Sequence, residues 1–365
     1  MIKDLINNYV KDCPEYKVGL TMDDVREDYV LAEFRDEICK VNENENLLGV
    51  SPKAQEAMRR AAGACNYYPE GTGKALRAKL SGRYGLTPYN YMITEGASVA
   101  LNLIGEVFLR PGDEVLIPRQ TYGAYRNVAM RYQGVPVFVP MKEDKGIDLE
   151  ALLKAIRPKT KLIFLCNPNN PTGMSCGDGE LLAFLREVPE DVVVAVDEAY
   201  FQFIGKKGYQ TALNAISEDR CHTIVVRTFS KVYGMAGARV GYIVSSLEII
   251  RYMSRIVNYF CTNKIALDGA LAALDDADFE EYTLRTVAEQ KKYMTREFEA
   301  MGWHVCPSDT NFIFVDFGVP PKELCEKLQK SGIIARGDFD FTRISTGTPE
   351  QSRRIVETVK RLLKP

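Results

Sequence analysis

Along the middle of the chain, short apolar runs that end in polar or glycine-rich turns alternate with stretches of helical period. Tyr91–Thr94 is strand-like and breaks at Gly96-Ala97-Ser98, after which Ala100, Leu103, Ile104, Val107 and Phe108 recur at helix-face spacing. Pro111-Gly112-Asp113 turns the chain into a second short strand over residues 114–117, and a third over 161–166 is stopped by Asn167-Pro168-Asn169-Asn170-Pro171. Residues 192–196 are all apolar and four of the five are valine, which is how a strand buried on both faces reads. Residues 223–226 repeat that pattern, and 240–244 do so more weakly. Strands alternating with helices predict an α/β fold. In open parallel sheets ligands gather beyond the carboxyl ends of the strands, so the polar residues that follow these runs are where a site is expected.

After about residue 265 the pattern changes to long, charged, helix-period stretches, notably 279–301, followed by one strand-like run at 311–315. Thr348-Pro349-Glu350-Gln351 has the form of a helix start, with a Thr N-cap, Pro at the first helical position and Gln at the third. The helix it opens carries Ile355, Val356, Val359, Leu362 and Leu363 on one face. The expected organisation is a large domain over 51–265 and a smaller α+β domain over 266–365. An N-terminal segment, 1–50, is expected to pack with the smaller one.

A length of 365 residues agrees with two domains, and a formal net charge of -2 gives no field to attract nucleic acid or an anionic membrane. No apolar run is long enough to span a bilayer. The opening MIKDLINNYVKDC carries charges where a secretion signal needs an apolar stretch, so a cytoplasmic enzyme is expected. Nine scattered cysteines without a C-x-x-C pair, and two histidines outside any cluster, argue for reduced thiols and against a zinc site or a disulfide framework. Gly71-Thr72-Gly73-Lys74 imitates a phosphate loop. The earlier glycine position is Tyr68, however, and Ala75 stands where a hydroxyl would meet magnesium. Gly234, Gly237 and Gly241 likewise miss the dinucleotide spacing, which disfavours an NAD enzyme.

Four polar segments follow strands in order: Asn167-Pro168-Asn169-Asn170-Pro171-Thr172-Gly173, Asp197-Glu198-Ala199-Tyr200, Thr228-Phe229-Ser230-Lys231, and Arg239 eight residues beyond the lysine. Asp197 comes straight after the valine run, where a carboxylate needs either a cation or a helix N-terminus to cap. Ala97 and Ser98 start a helix and so offer backbone N–H groups to an anion.

In these segments the sequence resembles the fold-type-I aminotransferases that use pyridoxal 5′-phosphate (PLP), and among them the histidinol-phosphate aminotransferase-like branch. The likeness runs from about Asn44 to the C-terminus. It implies a mostly parallel seven-stranded sheet flanked by helices, with a smaller α+β domain. It further implies that Lys231 holds the cofactor as a Schiff base and shuttles the substrate proton, and that Asp197 keeps the ring nitrogen protonated. By the same likeness Tyr200 and Asn170 hydrogen-bond the ring oxygen and Tyr122 stacks on the ring. Ala97, Ser98, Thr228, Ser230 and Arg239 would hold the phosphate. Tyr68 would reach the phosphate of a neighbouring subunit, which implies a homodimer with shared sites.

Arg343 matches the arginine that grips the substrate's acidic group, and Arg336 matches a second one found in histidinol-phosphate aminotransferases. Two arginines suit a phosphate or a distal carboxylate better than a lone carboxylate. Three departures fall mostly on the substrate side: Asn44-Glu45-Asn46-Leu47 lacks the family's proline, Ser98-Val99 replaces an acidic pair, and Ala238 replaces a leucine. The expected reaction moves an amino group from histidinol phosphate, or from an aromatic or other amino acid, to a 2-oxo acid such as 2-oxoglutarate. A PLP decarboxylase, racemase or lyase would keep the same cofactor residues. A PLP-sensing transcription regulator would need a DNA-binding domain for which no part of the chain is left.

Overall fold

The structure, a computed structural model, describes residues 5–13, 20, 38–206, 209–218 and 222–363. Its strands are β1 Cys39–Lys40, β2 Tyr91–Thr94, β3 Glu114–Pro118, β4 Val135–Val139, β5 Thr160–Cys166, β6 Val193–Asp197, β7 Thr223–Thr228, β8 Gly241–Val244, β9 His304–Val305, β10 Phe312–Asp316, β11 Ile333–Ile334 and β12 Thr342–Ser345. Seven of them form one sheet in the order β2-β8-β7-β6-β5-β3-β4. Strands β3 to β7 pair in parallel, whereas β8 runs antiparallel to both of its neighbours. The sheet is the mostly parallel seven-stranded one that the pattern and the resemblance led to.

The period of two in these strands explains why their sequences read as continuous apolar runs. Ile163, Leu165, Val194, Val196 and Val225 point into one core, while Leu162, Phe164, Val193, Ala195, Ile224 and Val226 point into a second core on the other face. Strand β4 has no such signature. It lies at the edge, with Val135 and Phe138 exposed, and it tolerates Pro136 because an edge strand has a side without ladder bonds.

A third core belongs to the smaller body. The antiparallel sheet β12-β10-β9 is covered by helices Pro321–Lys330 and Pro349–Leu363, with Ile313, Val315, Phe298, Leu328, Ile355 and Val359 buried between them. The last of these helices starts as expected: the Gln351 N–H donates to Thr348 Oγ1 at 3.2 Å, and the Thr348 N–H donates to Gln351 Oε1 at 2.9 Å.

Two of the expected boundaries differ from the structure. Helix Lys264–Ala273 packs on Pro52–Ala62, and its Ala266, Leu267, Ala270 and Ala273 are buried in a core of the large sheet. The chain changes body inside the next helix, Ala277–Glu299, whose Val287 lies in the large core and whose Met294 and Phe298 lie in the small one. In the N-terminal segment, β1 pairs with β11 and Cys39 and Val41 enter the small core. Helix Asn8–Asp12 instead lies against Ala124–Arg131 of the large body, and most of the remainder of 1–37 lies outside the described residues. No helix among the described residues is long and apolar enough to cross a membrane.

Candidate active site

The cross-strand register brings the strand-end residues to one edge. Cys166 pairs with Asp197, and Gly241 pairs with both Thr228 and Thr94. Because β8 is antiparallel, it begins where its neighbours end, and this delivers Arg239 to the same edge as Thr94, Asp197 and Thr228. Residues 43–45 and the small body close the other side. The resulting cavity, about 460 Å³, is lined by every site residue expected from the sequence except Tyr68.

One end of the cavity is built for an anion. Gly96 takes φ 81°, outside the range most side chains accept, and turns β2 into helix Ala97–Phe108. A Cβ at Gly96 would stand 2.7 Å from Arg239 Nη2, so the absence of a side chain is what lets the guanidinium lie against the helix start. Arg239 Nη1 donates to the Ala236 carbonyl at 2.9 Å. Thr228 Oγ1 donates to Ser230 Oγ at 2.9 Å and accepts from the Ser230 N–H at 3.1 Å. A guanidinium, two hydroxyls and the helix N-terminus at Ala97 and Ser98 thus converge.

The middle holds a carboxylate and an amine. Asp197 is buried; its Oδ2 accepts from Tyr125 Oη at 3.0 Å and its Oδ1 from the Ala199 N–H at 3.0 Å. Burial raises its pKa to about 6, against the lowering effect of those two donors and of Lys231. Lys231 Nζ donates to the carbonyls of Asn44 at 3.1 Å and Glu43 at 3.3 Å and lies 5.4 Å from the centre of the Tyr200 ring. Burial first, then the Arg343 guanidinium, push Lys231 down to about 8, with Glu43, Glu45 and Asp197 opposing. Tyr200 Oη accepts from Asn44 Nδ2 at 2.9 Å, and burial holds the phenol above its ordinary value. Tyr122 meets Tyr125 edge-on at 5.6 Å.

The far end carries the two arginines. Arg343 is buried, donates to Asn170 Oδ1 and to the Asn42 carbonyl, and is flanked by the rings of Phe312 and Phe339 at 5.5 and 5.6 Å. Its Nε has no partner among the described residues, and burial lowers its pKa to about 10. Arg336 Nη1 meets Glu43 Oε1 at 2.8 Å, and its Nε meets Asp338 Oδ2 at 3.1 Å. Tyr68 stands apart: it is 84% exposed, stacks obliquely on Phe260 at 5.2 Å, and lines a separate hollow with Tyr67 and Leu76.

Several site groups escaped the sequence reading. Tyr125 lies in the first turn of helix Ala124–Arg131, three residues after Tyr122, which precedes the helix; its closeness to Tyr122 in the chain was the available signal. Asn44 and Cys166 lie inside quoted motifs without an assigned part. Glu43 had no signal at all. Behind the cavity, Glu198 Oε2 pairs with the fully buried Arg227 at 2.7 and 3.0 Å, and Arg227 stacks 3.6 Å over the Phe201 ring. Among the described residues no His, Cys, Asp and Glu cluster could hold a metal. The donor set instead fits a flat cofactor with an anionic arm. The anion cup would take the arm, a cationic ring would compensate the buried Asp197 carboxylate, and the Lys231 amine lines the same cavity.

Comparison with known proteins agrees in both sequence and shape. Residues 36–359 match the family model for "Aminotransferase class I and II". The chain is 37% identical over 333 residues to histidinol-phosphate aminotransferase 2 of Carboxydothermus hydrogenoformans, covering 90% of this chain and 91% of that one. It is also 37% identical over 363 residues to histidinol-phosphate aminotransferase of Symbiobacterium thermophilum, with 98% of each covered. The crystal structure of histidinol-phosphate aminotransferase from Sinorhizobium meliloti in complex with pyridoxal-5′-phosphate superposes with a TM-score of 0.87 at 27% identity, covering 98% of each chain.

Proposed function

The chain belongs to the class I and II aminotransferases, and on that premise we propose that its cavity binds PLP and moves an amino group between an amino donor and a 2-oxo acid such as 2-oxoglutarate. The carrying observation is that Lys231, Asp197, Tyr200 and the anion cup of Ala97, Ser98, Thr228, Ser230 and Arg239 line one cavity. Bound PLP supplies an electron sink that stabilises negative charge at the substrate's α-carbon.

The chain's own residues do the rest. Lys231 would hold the cofactor covalently and would carry the proton to and from the α-carbon; a pKa of about 8 leaves a useful share of neutral amine at physiological pH. Asp197 would keep the ring nitrogen cationic, with Tyr125 fixing the carboxylate. Tyr200 and Asn170 would hydrogen-bond the ring oxygen, and Tyr122 would stack on the ring. Arg343, a buried guanidinium in the cavity wall, takes the donor's acidic group. Tyr68, exposed and remote from its own cavity, serves the site of a second copy in a homodimer. The donor belongs to the class of histidinol phosphate or of an aromatic or other amino acid.

Borohydride treatment of the PLP-loaded protein, followed by peptide mapping, tests the central assignment. The reduced adduct is expected on Lys231, with loss of the yellow colour; an adduct on another lysine removes Lys231 from this role. A donor panel with 2-oxoglutarate, read out as product keto acid, separates transamination from decarboxylation or racemisation.

A further inference from the structure

The two arginines at the far end of the cavity are not equivalent. Arg336 and Arg343 face each other across an isolated antiparallel bridge, their N–H groups donating to each other's carbonyls at 3.1 and 2.9 Å. Residues directly opposite in such a bridge project to the same side, so both guanidinium groups enter one pole of the cavity. Among the described residues Arg343 Nε, which is buried, has no partner, and the side chain lines the cavity. Arg336 is already held by Glu43 at 2.8 Å and by Asp338 at 3.1 Å, and it lies 5.9 Å over the Phe339 ring. The remaining nearby carboxylate, Glu45, is taken by Lys40 at 2.5 Å. Formally, two positive charges (Arg336, Arg343) meet two negative ones (Glu43, Asp338). A pole of zero net charge tolerates one added negative charge far better than two, because each further anion must be brought beside Glu43 and Asp338.

We propose that this pole accepts the single charge of an α-carboxylate and disfavours a phosphate dianion, with Glu43 as the residue that sets the preference. Resting on the aminotransferase reading above, this makes the donor an α-amino acid and not a phosphorylated amino alcohol. Arg343 is the carboxylate's partner. Glu43 and Asp338 act on specificity by occupying Arg336 and by repelling a second negative charge.

Two unreactive head-group probes on the same side chain decide it: 3-phenylpropanoate and 2-phenylethyl phosphate, titrated calorimetrically into the PLP-loaded enzyme. Wild type is expected to bind the carboxylate more tightly. In Glu43→Gln the ratio of the two affinities should move toward the phosphate by about ten-fold or more, and Asp338→Asn should move it the same way. A tighter phosphate in wild type, or a ratio unmoved in both variants, overturns the proposal. In turnover, histidine should exceed histidinol phosphate in kcat/KM, two donors that share an imidazole and differ at the head group. If neither is converted, nor any other amino acid, it is the aminotransferase reading that fails, and the binding ratios still decide the charge preference of the pole.

Discussion

At the scale of single residues, the cavity holds two groups displaced from their ordinary titration, Lys231 downward and Asp197 upward, and each displacement has a measurable consequence. If Lys231 captures PLP as proposed, the ligand-free protein must present it as the neutral amine. Its rate should rise with pH and level off above about 8, followed by the change in cofactor absorbance, whereas an amine at its ordinary value would still be gaining rate well above pH 9. Asp197 works the other way. Its folded pKa is about 6 against 3.8 in the open chain, so between those values the folded protein binds more protons and stability falls as pH rises. Above pH 6 the buried carboxylate is therefore a burden on the ligand-free fold. Asp197→Asn should make the ligand-free protein more stable by about 1–3 kcal/mol at pH 7, with the gain vanishing toward pH 4, in urea titrations. The same substitution should slow α-proton removal by at least about a hundred-fold. A variant both less stable at pH 7 and still fast would mean that Asp197 only caps the following turn.

At the scale of elements, the strands of the central sheet were readable because burial on both faces leaves nothing polar to interrupt them, and their polar ends marked the cavity. What escaped was written in other terms. Strand β4 is an edge with a proline, while β1, β9 and β11 are too short to show a period. Arg336 and Arg343 could be named, but their bridge joins the chain around a turn that no local pattern announces, and Glu43 reaches Arg336 from nearly three hundred residues away. The buried pair of Glu198 on the turn after β6 and Arg227 on β7 has a comparable structural role in binding one strand end to the next. Arg227→Met would leave Glu198 buried without its charge partner and should cost about 3–5 kcal/mol of stability, whereas replacing both by apolar residues of similar volume should recover most of it. At the far end of the chain Thr348→Ala removes the cap bond to Gln351 and should cost about 0.5–2 kcal/mol while leaving PLP binding unchanged.

At the scale of the whole molecule, the proposed sharing of sites makes a prediction that no single chain can satisfy. Lys231→Ala and a nearly inactive Tyr68 variant, refolded together in equal amounts, should regain about a quarter of wild-type activity. Half of the dimers are then mixed, and each mixed dimer has one site with both lesions and one with neither. If Tyr68 served its own cavity, every site would carry a lesion and no activity would return. The two bodies of one chain, meanwhile, are joined through helix Ala277–Glu299, which is anchored in the large core by Val287 and in the small core by Met294 and Phe298. The ends of that helix can fray singly, but its central turns, from Val287 to Met294, carry an anchor of each core and cannot open without loosening both. In amide hydrogen exchange its central turns should therefore open only together with β6 and β10, and the two bodies, distinct in architecture, should behave as one cooperative unit.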